Sequence, residues 1–280
     1  MLFSGMTVLS LLASVAACIG GNAGLHSLWL APVTFIGTFL GLFLVVFLFL
    51  WVSTLLVDQK KPQENDSRFY RTLVDLYVDL ALTIGQARVH VLGLEQTPKD
   101  GRFLLVCNHL SEADPAVLLK YFRKSQLAFI SKRENDTMFL VGPLMHKILC
   151  QSINRENDRE ALKTILNCIR LIEEDKASVA VFPEGYIKPD RKLHHFRSGV
   201  FKIATKTNVP IVVCTLTNTL QVFQNFVRLK PTDIDLHLIK TIQPEEYAGM
   251  TTVEIADMVY RLMAEDLGPD RVAQEEEEIP

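Results

Sequence analysis

The sequence predicts an α/β domain, a mostly parallel sheet flanked by helices, preceded by two N-terminal transmembrane helices. Three observations predict it. The chain has 280 residues with 49% hydrophobic content, enough for one domain with a real core and something extra. From Met1 to Val57 it contains no Asp, Glu, Lys or Arg. From Arg88 onward, short β-branched runs alternate with runs of helical period, the pattern of a parallel sheet with crossover helices.

The uncharged run divides at "GGNAGLHS" into two apolar stretches, residues 2–19 and 28–57, each long enough to span a bilayer. "VAAC", ending at Cys18, resembles a lipoprotein cleavage site, but no Lys or Arg precedes it, which argues against a signal peptide. Lys60, Lys61, Arg68 and Arg71 follow the second stretch, whereas the 20–27 loop carries only His26. The positive-inside rule therefore predicts an integral protein of the cell membrane, with everything after Val57 cytoplasmic. Five cysteines, Cys18, Cys107, Cys150, Cys168 and Cys214, show no CxxC spacing, so neither a disulfide framework nor a zinc cluster is expected.

Residues 58–87 form an amphipathic connection, with Phe69, Leu73, Leu76, Tyr77, Leu80 and Ile84 at helical spacing and Asp75 and Asp79 elsewhere. Its apolar face suits either core packing or the membrane surface, with packing favoured. The domain proper is expected over residues 88–268. "RVHVL", "RFLLVC", "LAFIS", "SVAVF", "VPIVVCTL" and "DIDLHLI" read as strands, and "PAVLLKYFR" as a helix. Residues 158–172 read as a helix with Leu162, Ile165, Leu166 and Ile169 on one face. A last helix opens with Thr251 and Glu254 as a capping box and turns Ile255, Met258, Val259 and Leu262 inward. Residues 269–280, ending "EEEEIP", read as a disordered acidic tail.

The chemistry is concentrated in "CNHLSEADP", where His109 and Asp114 stand five positions apart at a strand-to-helix junction. Asp114 before Pro115 also reads as an ordinary helix N-cap. As a pair the two residues do more. A carboxylate accepting from one ring nitrogen sets the tautomer and leaves the other nitrogen free to take a proton from an alcohol. "VFPEGY" offers a second site: Gly185 permits close approach of a ligand to the backbone, and Glu184 is placed to accept from ligand hydroxyls. Basic residues stand at loop positions throughout: Lys132, Arg133, Arg155, Lys188, Arg191 and Arg197. Several of them converging on one mouth would bind a phosphate.

In order, "NHLSEADP", "SKRE", a lone Arg155, "FPEG", "FRSG" and "VPIV" resemble the glycerolipid acyltransferase family, specifically the 1-acylglycerol-3-phosphate acyltransferases, over roughly residues 88–265. The resemblance implies a glycerol-phosphate acyltransferase-like fold seated on the membrane. It also implies transfer of a fatty acyl group to the sn-2 hydroxyl of 1-acylglycerol-3-phosphate, forming phosphatidic acid in phospholipid biosynthesis. Matched by position, His109 is the expected general base and Asp114 its orienting partner. Glu184 and Gly185 are expected in the acceptor site, with Lys132 and Arg155 as phosphate ligands. Two departures stand out. Tyr186, Ile187 and Lys188 replace the Thr-Arg-Ser that often follows FPEG, leaving Lys188 to substitute for the arginine. Leu149 stands where a glycine is expected before Arg155.

The residues themselves agree with direct transfer. There is no GxSxG, and Cys107 closes an apolar run as a small core residue would. No metal or cofactor is expected; acyl-CoA, acyl-carrier protein or an acyl phosphate serves as the donor substrate. Backbone N–H groups at the start of the helix after Asp114 are candidates for an oxyanion site. Membrane lipid and the donor are the expected partners, and nucleic acid is not. The alternatives are an acyltransferase remodelling another lysophospholipid or a neutral lipid, and a non-catalytic membrane protein that binds lipid or acyl carrier. Retention of both His109 and Asp114 favours an enzyme, because binding needs no base.

Overall fold

In a computed structural model of the chain, residues 2–20, 29–154 and 157–274 are described. Two helices open it, α1 (Leu2–Gly20) and α2 (Leu30–Leu55), with mean hydropathies of 2.1 and 2.7. They pack as a hairpin, with Ser14 Oγ donating to the Ala31 carbonyl at 2.8 Å and Phe3 set edge-on to Phe39. At about 1.5 Å per residue they measure about 28 and 39 Å, long enough to cross a hydrocarbon core of about 30 Å. Their outer faces are exposed, with Leu12, Ile19, Leu44 and Leu55 each more than half accessible. The loop expected to carry His26 lies outside the described residues.

The third helix, α3 (Arg68–Ile84), joins hairpin to domain. Ser67 caps it by accepting from the Tyr70 N–H. Tyr70 in turn donates to the Ser53 carbonyl of α2 at 2.9 Å, and Phe69 meets Phe49 edge-on. The core-packing reading of this segment describes it, with a shifted face: Leu73, Val74, Val78, Leu80 and Leu82 are buried, while Phe69 turns outward beneath the hairpin. The wheel misplaced Phe69 because its partner is another helix, not the sheet. Arg71 also departs from the basic-cluster reading. It is buried against Asp66 at 3.0 Å and donates to the Leu127 and Ile148 carbonyls, so it is a structural cation. Asp75 and Asp79 face Arg123, with Lys120 also near Asp79.

The domain continues through β1 (Ala87–Leu92), β2 (Leu104–Cys107), α4 (Asp114–Tyr121), β3 (Ala128–Lys132), α5 (Val141–Lys147), β4 (Gln151–Ile153) and α6 (Asp158–Glu173). It ends with β5 (Val179–Val181), α7 (Lys202–Thr207), β6 (Ile211–Thr217), α8 (Gln221–Val227), β7 (Thr232–Ile242) and α9 (Thr252–Leu267). The sheet order is β1-β7-β6-β2-β5-β3-β4, parallel throughout except between β6 and β7. Leu105 and Cys107 of β2 point into a core with α3 and α4, and Leu104 and Val106 into a second core with α6 and α9. Burial on both faces is why this strand reads as an unbroken apolar run.

Chain order positions the site. β2 leads rightward past β5 to β3, whereas β5 leads back leftward past β2 to β6. Adjacent parallel strands whose connections diverge leave a crevice beyond their C-terminal ends. His109 follows β2 and Glu184 follows β5 at that crevice.

On α6 the buried face is Ile165, Cys168, Ile169 and Ile172, while Leu162 and Leu166 are 46% and 52% exposed. The reason for Leu162 is local, since it lines a surface cavity. The tail begins later than residue 269: Leu193 and Val272 form a β-bridge, the Leu193 N–H donates to the Arg271 carbonyl, and the Ala273 N–H donates to the Leu193 carbonyl. Residues 275–280 lie outside the described part. Finally, β4, α5, α7 and α8 are three to seven residues long, too short for periodicity to reveal.

Candidate active site

Asp114 is wholly buried and is not the N-cap of α4; Ala113 holds that position, with no side-chain cap. Its carboxylate turns back into the preceding loop instead. Oδ2 accepts from His109 Nδ1 at 2.8 Å and from the Leu110 and Ser111 N–H groups at 2.6 and 2.9 Å. Oδ1 accepts from Thr219 Oγ1 at 2.5 Å and Ser111 Oγ at 3.4 Å. A buried carboxylate is tolerable only when its lone pairs are met, and here donors from two loops meet them. The His109 proton is thereby set on Nδ1, and Nε2 carries the lone pair.

The ring is fixed on its other sides as well. Phe182, at the end of β5, stacks on the imidazole with centroids 4.1 Å apart, and Phe129 stacks on Phe182. Asn108 clamps the strand end, donating to the Leu216 carbonyl at 3.0 Å and accepting from the Leu216 N–H at 2.8 Å. Cys107 is wholly buried, and desolvation pushes its thiol well up, the opposite of what a nucleophile needs.

Glu184 stands behind His109 rather than before a ligand. It is 3% exposed, and its two oxygens accept from the His109 N–H at 2.8 Å and the His194 N–H at 3.1 Å. Burial pushes its carboxyl up to about 7 against these two hydrogen bonds, which pull it down. This side chain braces the His109 backbone; the donors are main-chain groups, invisible to a reading of side-chain types. Gly185 has φ +88°, and what approaches it is the Arg197 side chain, with Nε 3.0 Å from where a Cβ would sit. The backbone donors around the start of α4 are also taken: Leu110 and Ser111 by Asp114, Ala113 by Ser111 Oγ, and Ala116 and Val117 by the Ala113 carbonyl. The oxyanion site expected there has no free donor among these groups.

A cavity of about 360 Å³ opens beside Phe182 and Pro183. Ile130, Leu162, Ile165 and Val200 give it an apolar wall, and Arg197 and Lys202 supply cations. Of the predicted cations, Lys132 ends β3 exposed, and Lys188 lies over the Tyr186 ring with Nζ 2.7 Å from its hydroxyl. Arg155 lies outside the described residues. Leu149, in the position of the expected glycine, has φ +67° and is 1% exposed. The backbone keeps the conformation that favours glycine, and burial of the leucine side chain offsets a strain of about 1–2 kcal/mol. Phe182 and Thr219 were the residues sequence reasoning left without a role. Phe182 sits inside the motif "FPEG", and Thr219 had no signal. Among the described residues no three His, Cys, Asp or Glu side chains converge as a metal site would require.

Comparison with known proteins shows what these features are similar to. The family model described as Acyltransferase matches residues 88–217. The chain is 32% identical over 162 residues to a protein of Mycoplasma pneumoniae named as a probable 1-acyl-sn-glycerol-3-phosphate acyltransferase, covering 56% of this chain and 60% of that one. It is 29% identical over 218 residues to a 1-acyl-sn-glycerol-3-phosphate acyltransferase of Chlamydomonas reinhardtii, covering 75% of this chain and 64% of that one. It thus spans less than two thirds of the length of either relative. The fold is that of the 1-acyl-sn-glycerophosphate acyltransferase PlsC from Thermotoga maritima, with a TM-score of 0.58 at 23% identity, covering 78% of this chain and 87% of that one.

Proposed function

We propose that the protein, whose residues 88–217 match the Acyltransferase family model, transfers a fatty acyl group from an acyl thioester to the sn-2 hydroxyl of 1-acylglycerol-3-phosphate, making phosphatidic acid. The observation that carries this reading is the His109–Asp114 pair at 2.8 Å, with Phe182, stacked on the imidazole, lining an apolar cavity that has cations in its wall. A lysophosphatidate is an acyl chain and a phosphate monoester on one glycerol, and this cavity offers a surface for each part.

The steps balance without a covalent intermediate. His109 Nε2 takes the proton of the acceptor hydroxyl as its oxygen attacks the thioester carbonyl. Asp114 holds the imidazolium that forms. The tetrahedral intermediate collapses by breaking the C–S bond, and the thiolate takes the proton back from Nε2. The products are phosphatidate and a free thiol, and the base is regenerated.

The two apolar helices act as the anchor, integral to the membrane, with the domain on its cytoplasmic face. The surplus of Lys60, Lys61 and Arg68 just after α2 supports that orientation. Holding the site at the bilayer brings it to a substrate that partitions there. The phosphate is read by Arg155, Lys132 and Lys188, with Arg197 and Lys202 supporting them from the cavity wall.

Acceptor preference tests this reading. Arg155→Ala and Lys188→Ala in the full chain should each lower transfer to lysophosphatidate more than transfer to monoacylglycerol, with Arg155→Ala the stronger, about tenfold or more. Equal losses on both acceptors would mean the cations are structural, and a neutral-lipid or remodelling activity would replace the proposed one.

A further inference from the structure

A second cavity, of about 270 Å³, lies on the other side of His109. The sheet order places it: the first cavity is walled from β3, β4 and β5, whereas this one is walled by Asn108, Leu110 and the end of β6. The catalytic histidine therefore stands between two openings. A transfer reaction has two substrates that must both reach it, and the proposed acceptor occupies only one opening.

The chemistry of the second cavity differs from that of the first. Arg191 and Arg271 line it, together with the amides of Asn218, Gln221 and Gln224. Among the described residues neither arginine has an ion-pair partner, whereas Arg71, Arg102, Arg123 and Arg133 each pair with a carboxylate. Arg191 instead donates to the Leu110 carbonyl at 2.6 Å, next to His109. Both arginines sit on constrained backbone. Arg191 has φ +57° and Asn218 φ +65°, left-handed conformations that a non-glycine residue adopts at a cost. Arg271 is held by the hydrogen bond from the Leu193 N–H to its carbonyl and by the adjoining bridge to Val272.

We propose that this cavity binds the phosphopantetheine arm of the acyl-thioester donor, an assignment that rests on the acyltransferase reading of the site. The arm is a chain of amides ending in a thiol at one end and a phosphate at the other. Asn218, Gln221 and Gln224 match the amides, Arg271 matches the phosphate, and the thioester end lies toward His109, where Arg191 holds the Leu110 carbonyl. Coenzyme A and acyl-carrier protein both present this arm.

Binding measurements on the full chain in detergent, with no acyl group present, test the site separately from catalysis. Free 4′-phosphopantetheine, coenzyme A and a holo carrier protein are each titrated against the wild type, Arg271→Ala and Gln224→Ala; both substituted side chains are exposed, so the fold is retained. Arg271→Ala should weaken free phosphopantetheine about tenfold, the loss of one charge-assisted contact. Gln224→Ala should weaken it less, and lysophosphatidate affinity should be unchanged in both. A parallel loss for coenzyme A or for the holo carrier protein supports the assignment and identifies the source of the arm. An unchanged phosphopantetheine affinity in Arg271→Ala overturns it, as does a loss confined to coenzyme A or one that falls on lysophosphatidate. Failure of the acyltransferase reading would show differently, as thioester bound but never transferred.

Discussion

Among the described residues, four contacts between a histidine and an aspartate can be set side by side, and the comparison shows what makes one of them a base. His237 Nδ1 lies 2.6 Å from Asp266 Oδ1, closer than the 2.8 Å of His109 and Asp114. His90 and His194 approach Asp233 and Asp190 to 2.9 Å through Nε2. Distance alone would rank the His237 pair first. The surroundings reverse that order. Asp114 is wholly buried with backbone and hydroxyl donors fixing both oxygens, while the Asp266 side chain is 21% exposed and shares itself with Thr215. His237 lies mid-strand opposite Thr215, tying β7, β6 and α9 together, whereas His109 lies past a strand end between two cavities. A solvated pair at a sheet surface is a strut; a desolvated one at a crevice has a free nitrogen with somewhere to point.

The contrast can be broken most directly by exchanging the fates of the two histidines. His109→Ala should lower acyl transfer by about 100- to 10,000-fold, the typical contribution of a positioned base, with the thermal midpoint nearly unchanged. His237→Ala should change the rate less than twofold and instead cost about 1 kcal/mol of stability through the lost tie. Comparable rate losses in both would mean that burial does not separate base from strut.

The aspartates sharpen the same point at a smaller scale. Asp114→Asn should lose on the order of a hundredfold in rate, because an amide facing two backbone N–H groups can rotate and select the wrong tautomer. Asp266→Asn should leave the rate within about twofold. A silent Asp114→Asn, measured with the fold intact by circular dichroism, would remove the tautomer argument.

Glu184 gives the smallest effect and a pH signature. Its carboxyl ionises at about 7 in the folded domain because burial disfavours the charge. A raised acid binds its proton more tightly folded than unfolded, so the stability it contributes is complete below its ordinary value of 4.5 and is lost as pH rises through 7. Glu184→Gln removes that titration. Melting curves of wild type and variant between pH 5 and 8 should converge or cross in the variant's favour as pH rises, and parallel curves would contradict the assignment.

How far the sequence reveals this follows from which atoms do the work. The parallel sheet was readable because its strands are buried on both faces, and the His109–Asp114 pairing because the four residues between them, at a strand end, bring the two side chains together. The bracing role of Glu184 was not legible because its partners are the backbone N–H groups of His109 and His194, which side-chain types do not reveal. Thr219 reaches Asp114 across 105 positions, a distance no local pattern spans. Helical period puts Leu162 on one face with Ile165 and Ile169, but it does not tell a core from a cavity wall, and Leu162 lines a cavity. Leu149 carries a left-handed backbone under a leucine, so the conformation persists where the residue that usually reveals it does not.

The central claim is direct transfer assisted by His109, and a single-turnover experiment with labelled acyl thioester addresses it most directly. With lysophosphatidate present, the full-length protein should move the label into phosphatidate in step with thiol release, and His109→Ala should abolish both. With the acceptor omitted, no thiol should be released and no label should remain on the protein after denaturation. A burst of thiol release without acceptor, leaving the acyl group on Cys107 or another side chain, would contradict the account.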